Sequence, residues 1–233
     1  MQNFFSVKIF YKIVNIFKME HYTVNNLNKI KNEVQLKNKN ITIIAVSKTF
    51  TKEKILPLID HGQKHFGENK VQEAIEKWTK LKTFNKQIKL HLIGKLQSNK
   101  VKNILPLFDY IHSLDNLKLA EKISKEQEKK NFKPKLFVQV NIGNEDQKNG
   151  IQENKLSDFI KACKNSYNLD IIGLMCLPPN DDNHKFYFSK MKILNQKYGF
   201  QDLSMGMSND YLDAIDYEST YIRVGSKIFG ERN

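Results

Sequence analysis

From residue 41 onward, short β-type runs alternate with longer helical patterns, and the alternation repeats eight times. The β-type runs fall at 41–48, 65–69, 89–94, 110–115, 135–143, 169–177, 202–207 and 221–225. Helical patterns lie between them at 51–61, 70–82, 98–107, 116–130, 152–166, 183–198 and 209–216. Strand–helix alternation of this kind argues for a parallel sheet, since parallel neighbours must be joined by a crossover. Eight units argue for closure into a single (β/α)8 barrel. A leading helix, roughly 20–38, is expected to cover the barrel's bottom. The alternative is an open doubly wound sheet, whose nucleotide-binding version is weakened because no G-x-G-x-x-G turn follows the first run. A chain of 233 residues with 40% hydrophobic content can bury one substantial core, so 19–233 reads as one domain.

Residues 1–18 stand apart. They contain no acidic residue, and Lys8, Lys12 and Asn15 fall on one side of a helical wheel with phenylalanines and isoleucines on the other. Lysine interrupts the apolar stretches too often for a membrane span, which needs about 20 mostly apolar residues. The segment reads equally as an organelle-targeting presequence, without the usual arginine, or as an extension ahead of a true start at Met19. Cys163 and Cys176 lack C-x-x-C or metal-ligand spacing, which fits a reducing, cytoplasmic compartment.

The formal net charge of +13 is almost all lysine; arginine occurs only at Arg223 and Arg232. Nucleic-acid readers favour the arginine fork and gather charge on one face, whereas these lysines are spread along the chain among asparagines. A compositional bias explains the charge better than a nucleic-acid surface does.

In a parallel barrel, function gathers at the carboxyl ends of the strands, and phosphate is frequently held after strands seven and eight. Lys48 ends the first apolar run, where an amine is hard to explain as packing, although a lysine snorkelling to solvent would also suit. Ser204-Met205-Gly206-Met207-Ser208 and Arg223-Val224-Gly225-Ser226 each follow a strand pattern and open a helix. Unpaired helix-start N–H groups, close backbone approach at Gly206 and Gly225, and hydroxyls of Ser204, Ser208 and Ser226 suit a phosphate, though serine also caps helices. Strands one and eight are neighbours on closure, so amine and cradle meet at one small molecule: an aldehyde that carries a phosphate. Burial would lower the pKa of Lys48 and favour the unprotonated amine that condenses with an aldehyde. Arg223 lies inside the barrel wall, where it needs either an ion-pair carboxylate or a ligand. Against a pyridine nitrogen it could donate but not supply a proton, leaving the ring a poor electron sink. Asn69 reaches the ligand or caps the next helix. The six histidines show no metal spacing and read as surface or ordinary hydrogen-bonding groups.

These segments, with Phe66-Gly67-Glu68-Asn69, His91-Leu92-Ile93-Gly94, Leu96-Gln97-Ser98-Asn99-Lys100, Ile111-His112-Ser113-Leu114-Asp115 and Ile228-Phe229-Gly230, occur in an order that resembles the pyridoxal phosphate homeostasis protein family across 41–232. Lys95 departs from the family pattern by placing an extra charge near the mouth. The resemblance implies a barrel like the amino-terminal domain of alanine racemase, binding pyridoxal 5′-phosphate as an imine on Lys48. Ser208, Gly225 and Ser226 would hold the phosphate and Arg223 the ring nitrogen, with Ser204 and Asn69 lining the site. It further implies buffering of the cofactor, or its delivery to apo-enzymes, without turnover, and a monomer is expected. The alternative is a catalytic enzyme such as an amino-acid racemase. In alanine racemases the second base comes from a β-domain after the barrel, and this chain stops at Asn233, so racemisation is not expected.

Overall fold

The computed structural model describes residues 21–231 other than 38–39 and 146; the distinctive segment 1–18 lies outside them. Eight parallel strands close in sequence order: β1 (Thr42–Val46), β2 (His65–Glu68), β3 (Lys89–Leu92), β4 (Tyr110–Leu114), β5 (Lys135–Val140), β6 (Asp170–Cys176), β7 (Asp202–Met207) and β8 (Tyr221–Val224). Closure is made by β8 pairing with β1, Arg223 opposite Ile44 and Val224 opposite Ala45. The helices are α1 (Tyr22–Lys37), α2 (Lys52–Asp60), α3 (Val71–Phe84), α4 (Val101–Ile104), α5 (Leu117–Lys130), α6 (Glu153–Asn165), α7 (His184–Lys197), α8 (Tyr211–Asp216) and α9 (Ser226–Phe229). No helix among the described residues is long and apolar enough to cross a membrane.

Each strand serves two cores, because successive side chains point to opposite faces. One set packs outward against the helices, as Phe66 does against Trp78 with ring centroids 4.9 Å apart. The other set fills the barrel: Ile44, Val46, Tyr110, Phe137, Met175 and Tyr221 form a separate inner cluster. A barrel filled in layers is a packed core and not a pore, which confines ligand space to its ends.

Three expectations need correction. α1 does not cover the bottom; it lies in the outer helical layer against α2, α8 and α9. Tyr22 Oη and Asn26 Nδ2 each donate at 3.1 Å to the carbonyls of Phe229 and Ile228. The reason is a vacancy in the ring: α9 spans only four residues, too few to cover β8 and β1, and α1 offers Val24, Leu27, Ile30 and Val34 on one buried face. The helix read at 98–107 is a 3-10 turn, Ser98–Lys100, followed by the four-residue α4. Leu105 is already extended ahead of Pro106, as a pre-proline residue prefers. The first strand ends at Val46 and not at Lys48, because Thr49 turns the chain with φ +69°.

Candidate functional site

At the carboxyl ends of the strands, Lys48, Asn69, Ser208, Arg223, Gly225 and Ser226 line one cavity of about 520 Å³. Six of the seven residues that the resemblance assigned to the site therefore converge, from β1, β2, β7 and β8. The seventh, Ser204, does not line it. Ser204 is wholly buried four residues before Ser208, one layer deeper, and accepts a hydrogen bond from Arg223 Nη1 at 2.7 Å.

The turn that carries Lys48 is braced from behind. Ser47 points outward and donates from Oγ to Glu68 Oε1 at 2.7 Å. That oxygen also receives Lys77 Nζ at 3.0 Å and Trp78 Nε1 at 2.9 Å. Lys77 Nζ in turn donates to the Ser47 carbonyl at 2.8 Å and to Glu73. The Thr49 N–H donates to Glu73 Oε1 at 2.5 Å. A β-branched residue at positive φ is strained, so a carboxylate is spent holding Thr49 there. Both neighbours of Lys48 are thus fixed to β2 and α3, and the half-buried Lys48 faces the cavity it lines. Asn69 has a tight neighbour: a Cβ on Gly94 would lie 2.3 Å from its carbonyl oxygen, so only glycine lets the chain beyond β3 pass it.

Arg223 is 4% exposed. Its partners among the described residues are not a carboxylate but the Ser204 hydroxyl and the Cys176 carbonyl, the latter 2.9 Å from Nη2. Burial pulls its pKa down, while Cys176 and Asp210 oppose that; a guanidinium remains charged nonetheless. Further N–H groups of its planar fork are available to a ligand in the cavity. Across the floor, the Gly225 N–H donates to Ser208 Oγ at 3.3 Å, tying the two turns together. Ser226 opens α9, whose first amides have no partner within the helix.

The two glycines of these turns differ in purpose. Gly206 has φ +89°, and a Cβ there would meet Ala214 Cβ at 2.6 Å, so it admits α8 and not a ligand. At Gly225 a Cβ would make only ordinary contacts, the nearest at 3.4 Å to the Val46 carbonyl oxygen. Packing gives no reason for glycine there, and the bare backbone leaves room for a ligand to approach. Sequence reasoning missed Asp210, which lines the cavity and accepts the Met207 N–H at 2.6 Å. An acid three residues beyond Met207, at the start of α8, is the local turn signal that could have revealed it.

The donor set fits a phosphorylated pyridine aldehyde: an amine on one side, a cation in the floor, and hydroxyls and amides at the neighbouring turns. The family model of the alanine racemase N-terminal domain matches residues 23–233. The pyridoxal phosphate homeostasis protein of Aquifex aeolicus is 35% identical over 199 residues, covering 82% of this chain and 86% of its own. That of Escherichia coli is 35% identical over 202 residues, covering 83% and 86%. PipY of Synechococcus elongatus superposes with a TM-score of 0.82 at 32% identity, over 90% of this chain and 100% of PipY. PipY is known both without and with pyridoxal phosphate bound. An alanine racemase of Clostridium difficile, 18% identical with a TM-score of 0.71, shares the fold over 91% of this chain and 57% of its own. The chain belongs to the pyridoxal phosphate homeostasis protein family, built on the barrel of the alanine racemase N-terminal domain.

Proposed function

We propose that this protein binds pyridoxal 5′-phosphate as an imine on Lys48 and serves to buffer the cofactor or deliver it to apo-enzymes. The observation that carries the reading is the convergence of Lys48, Arg223 and the Ser208 and Gly225-Ser226 turns on one cavity. In this reading Ser208, Gly225 and Ser226 hold the phosphate, Arg223 donates to the ring nitrogen, and Asn69 borders the ring. PipY, a relative at 31% identity with pyridoxal phosphate bound, supports it.

The cofactor when bound supplies an electrophilic carbon and an electron-withdrawing ring. The residues around it favour holding over turnover. Racemisation requires a base on each face of the substrate carbon. Besides Lys48, the titratable side chains lining the cavity among the described residues are Asp210, whose Oδ1 is taken by the Met207 amide, and Arg223. Arg223 cannot give a proton to the ring nitrogen, which restrains the ring as an electron sink.

The test is the visible spectrum of the purified, cofactor-loaded protein, followed by borohydride reduction and peptide mapping. An imine band fixed on Lys48 and absent from folded Lys48→Ala is the expected result; an adduct on another lysine overturns the assignment. Incubation with amino acids in deuterated water then separates holding from turnover. Sustained α-proton exchange that vanishes with Lys48→Ala would establish an enzyme instead.

A further inference from the structure

Beneath the cavity a line of hydrogen bonds crosses the barrel interior. His65 Nδ1 lies 2.9 Å from His91 Nε2, His91 Nδ1 lies 2.9 Å from His112 Nε2, and His112 Nδ1 lies 3.0 Å from Ser204 Oγ. Ser204 Oγ accepts from Arg223 Nη1. The line begins with the half-buried His65, at the first position of β2, and ends under the cavity floor. His91 and His112 are wholly buried. His91 stacks on Tyr110 with centroids 4.2 Å apart, and His112 on Phe137 at 4.3 Å. Barrel interiors are ordinarily filled with branched aliphatic side chains, so three histidines in series call for a reason.

The polarity of the line follows from its fixed end. A neutral imidazole has one donor nitrogen and one acceptor nitrogen, and burial keeps His91 and His112 neutral. Arg223 can only donate, so Ser204 Oγ receives its N–H. The Ser204 hydroxyl hydrogen then needs an acceptor, and His112 Nδ1 is the one bonded to it among the described residues. His112 must therefore carry its proton on Nε2 and donate to His91 Nδ1, and His91 must do the same toward His65 Nδ1. The opposite polarity would bury an unpaired hydroxyl hydrogen, which disfavours it about tenfold or more. In the selected polarity every lone pair points toward Arg223 and every hydrogen away from it.

We propose that His112, held in its Nε2–H form by His91 and His65, is a positioning residue for Arg223. Through Ser204 it presents the negative end of a stack of aligned dipoles to the buried guanidinium. No carboxylate is hydrogen-bonded to Arg223 among the described residues; Asp210 acts on it only through space, so the guanidinium keeps N–H groups for an anionic ligand. A proton wire is not the better description, because a guanidinium does not release the proton that would have to move. The direction of the line is independent of the ligand; its effect on the ring nitrogen rests on the pyridoxal phosphate reading above.

Two measurements test this on the full chain. Long-range proton–nitrogen correlation spectra of protein labelled with nitrogen-15 histidine, near pH 7.5, should show His91 and His112 neutral with protons on Nε2. Protons on Nδ1, or charged rings, overturn the polarity. His112→Leu should weaken pyridoxal phosphate binding about 10- to 100-fold and shift the pH midpoint of the imine band, as loss of an acceptor behind a charged donor implies. His112→Asn, which keeps an acceptor toward Ser204, should recover most of both effects. A folded His112→Leu with unchanged affinity and unchanged midpoint refutes the positioning role. If that variant does not fold, His112→Asn and the tautomer spectra decide. If the wild-type protein forms no imine at all, the cofactor reading fails, while the tautomers still decide the direction of the line.

Discussion

Lowering the pH from 7 to 5 should destabilise this barrel steeply, because three interior histidines refuse protons that the unfolded chain accepts. Burial, helped by Lys89 and Lys64 and opposed by Asp109, pushes His65 down to about 4. Burial first, and then neighbouring histidines and Lys82 for His91 or Arg223 for His112, drives the other two well below the ordinary value. The sign follows from proton counts. Between the folded value and about 6.5 the unfolded chain binds more protons, so stability is complete above pH 6.5 and is lost as the pH falls toward 4. For His65, held near 4, the penalty is about 0.2 kcal/mol at pH 7 and about 2 kcal/mol at pH 5, and His91 and His112 act in the same direction. Domains of ordinary stability hold only about 5–15 kcal/mol, so even the His65 contribution alone is a substantial fraction of the whole.

Carboxylates do not cancel this. Burial raises Asp115 and Asp202 from an ordinary 3.8, and their native forms then take protons first, which adds stability as the pH falls. That contribution is centred near the ordinary carboxylate range, below most of the window. Urea denaturation of cofactor-free protein at pH 7, 6 and 5 is the assay, read by fluorescence of Trp78, the single tryptophan and fully buried. His65→Gln should flatten the slope, since it removes the proton acceptor whose folded value lies near 4. A free energy of unfolding that differs by less than about 1 kcal/mol between pH 7 and 5 would falsify the assignment of neutral interior histidines.

Pyridoxal without its phosphate should bind at least about 100-fold more weakly than the phosphorylated form, because charge-assisted contacts at Ser208, Gly225 and Ser226 would be lost; equal affinity in a titration refutes the cradle. Gly206→Ala should cost about 2 kcal/mol or more in urea denaturation, through positive φ and contact with Ala214, while a neutral result would show that α8 can shift at no cost. Glu68→Gln should cost about 3 kcal/mol by leaving the Lys77 ammonium short of a buried partner, and it should also loosen the Lys48 turn, slowing imine formation in stopped-flow mixing; unchanged stability and rate would show that Glu73 alone suffices.

What could be read from the sequence, and what could not, divides along the range of the interactions. Eight strands were legible because each is announced within a few residues by its own apolar run. Lys48, Ser208 and Gly225-Ser226 were legible because strand order alone brings their ends together. Strand ends were less so: Val46 is the last strand residue because Thr49 is held at positive φ by Glu73, twenty-four residues away. The brace of Glu68, Lys77 and Trp78 had a faint local trace, an acid ending a strand with a lysine and a tryptophan one helical face later. The histidine line had almost none. His65, His91, His112, Ser204 and Arg223 sit on five strands, and their hydrogen bonds span separations from 19 to 92 residues. In a single strand, an inward histidine looks the same as an outward one. Only the stagger of a closed barrel sets the first position of β2 beside the third of β3, the third of β3 beside the third of β4, and the third of β4 near the third of β7. The same stagger explains Ser204. Read locally it belongs with Ser208 as a second hydroxyl for the phosphate, but it sits one layer lower, where its oxygen serves Arg223 and its hydrogen serves His112. A residue that looks like part of the cavity lining in the motif therefore lies one step beneath it, and Arg223 owes its position in the cavity floor to the Ser204 hydroxyl and the Cys176 carbonyl.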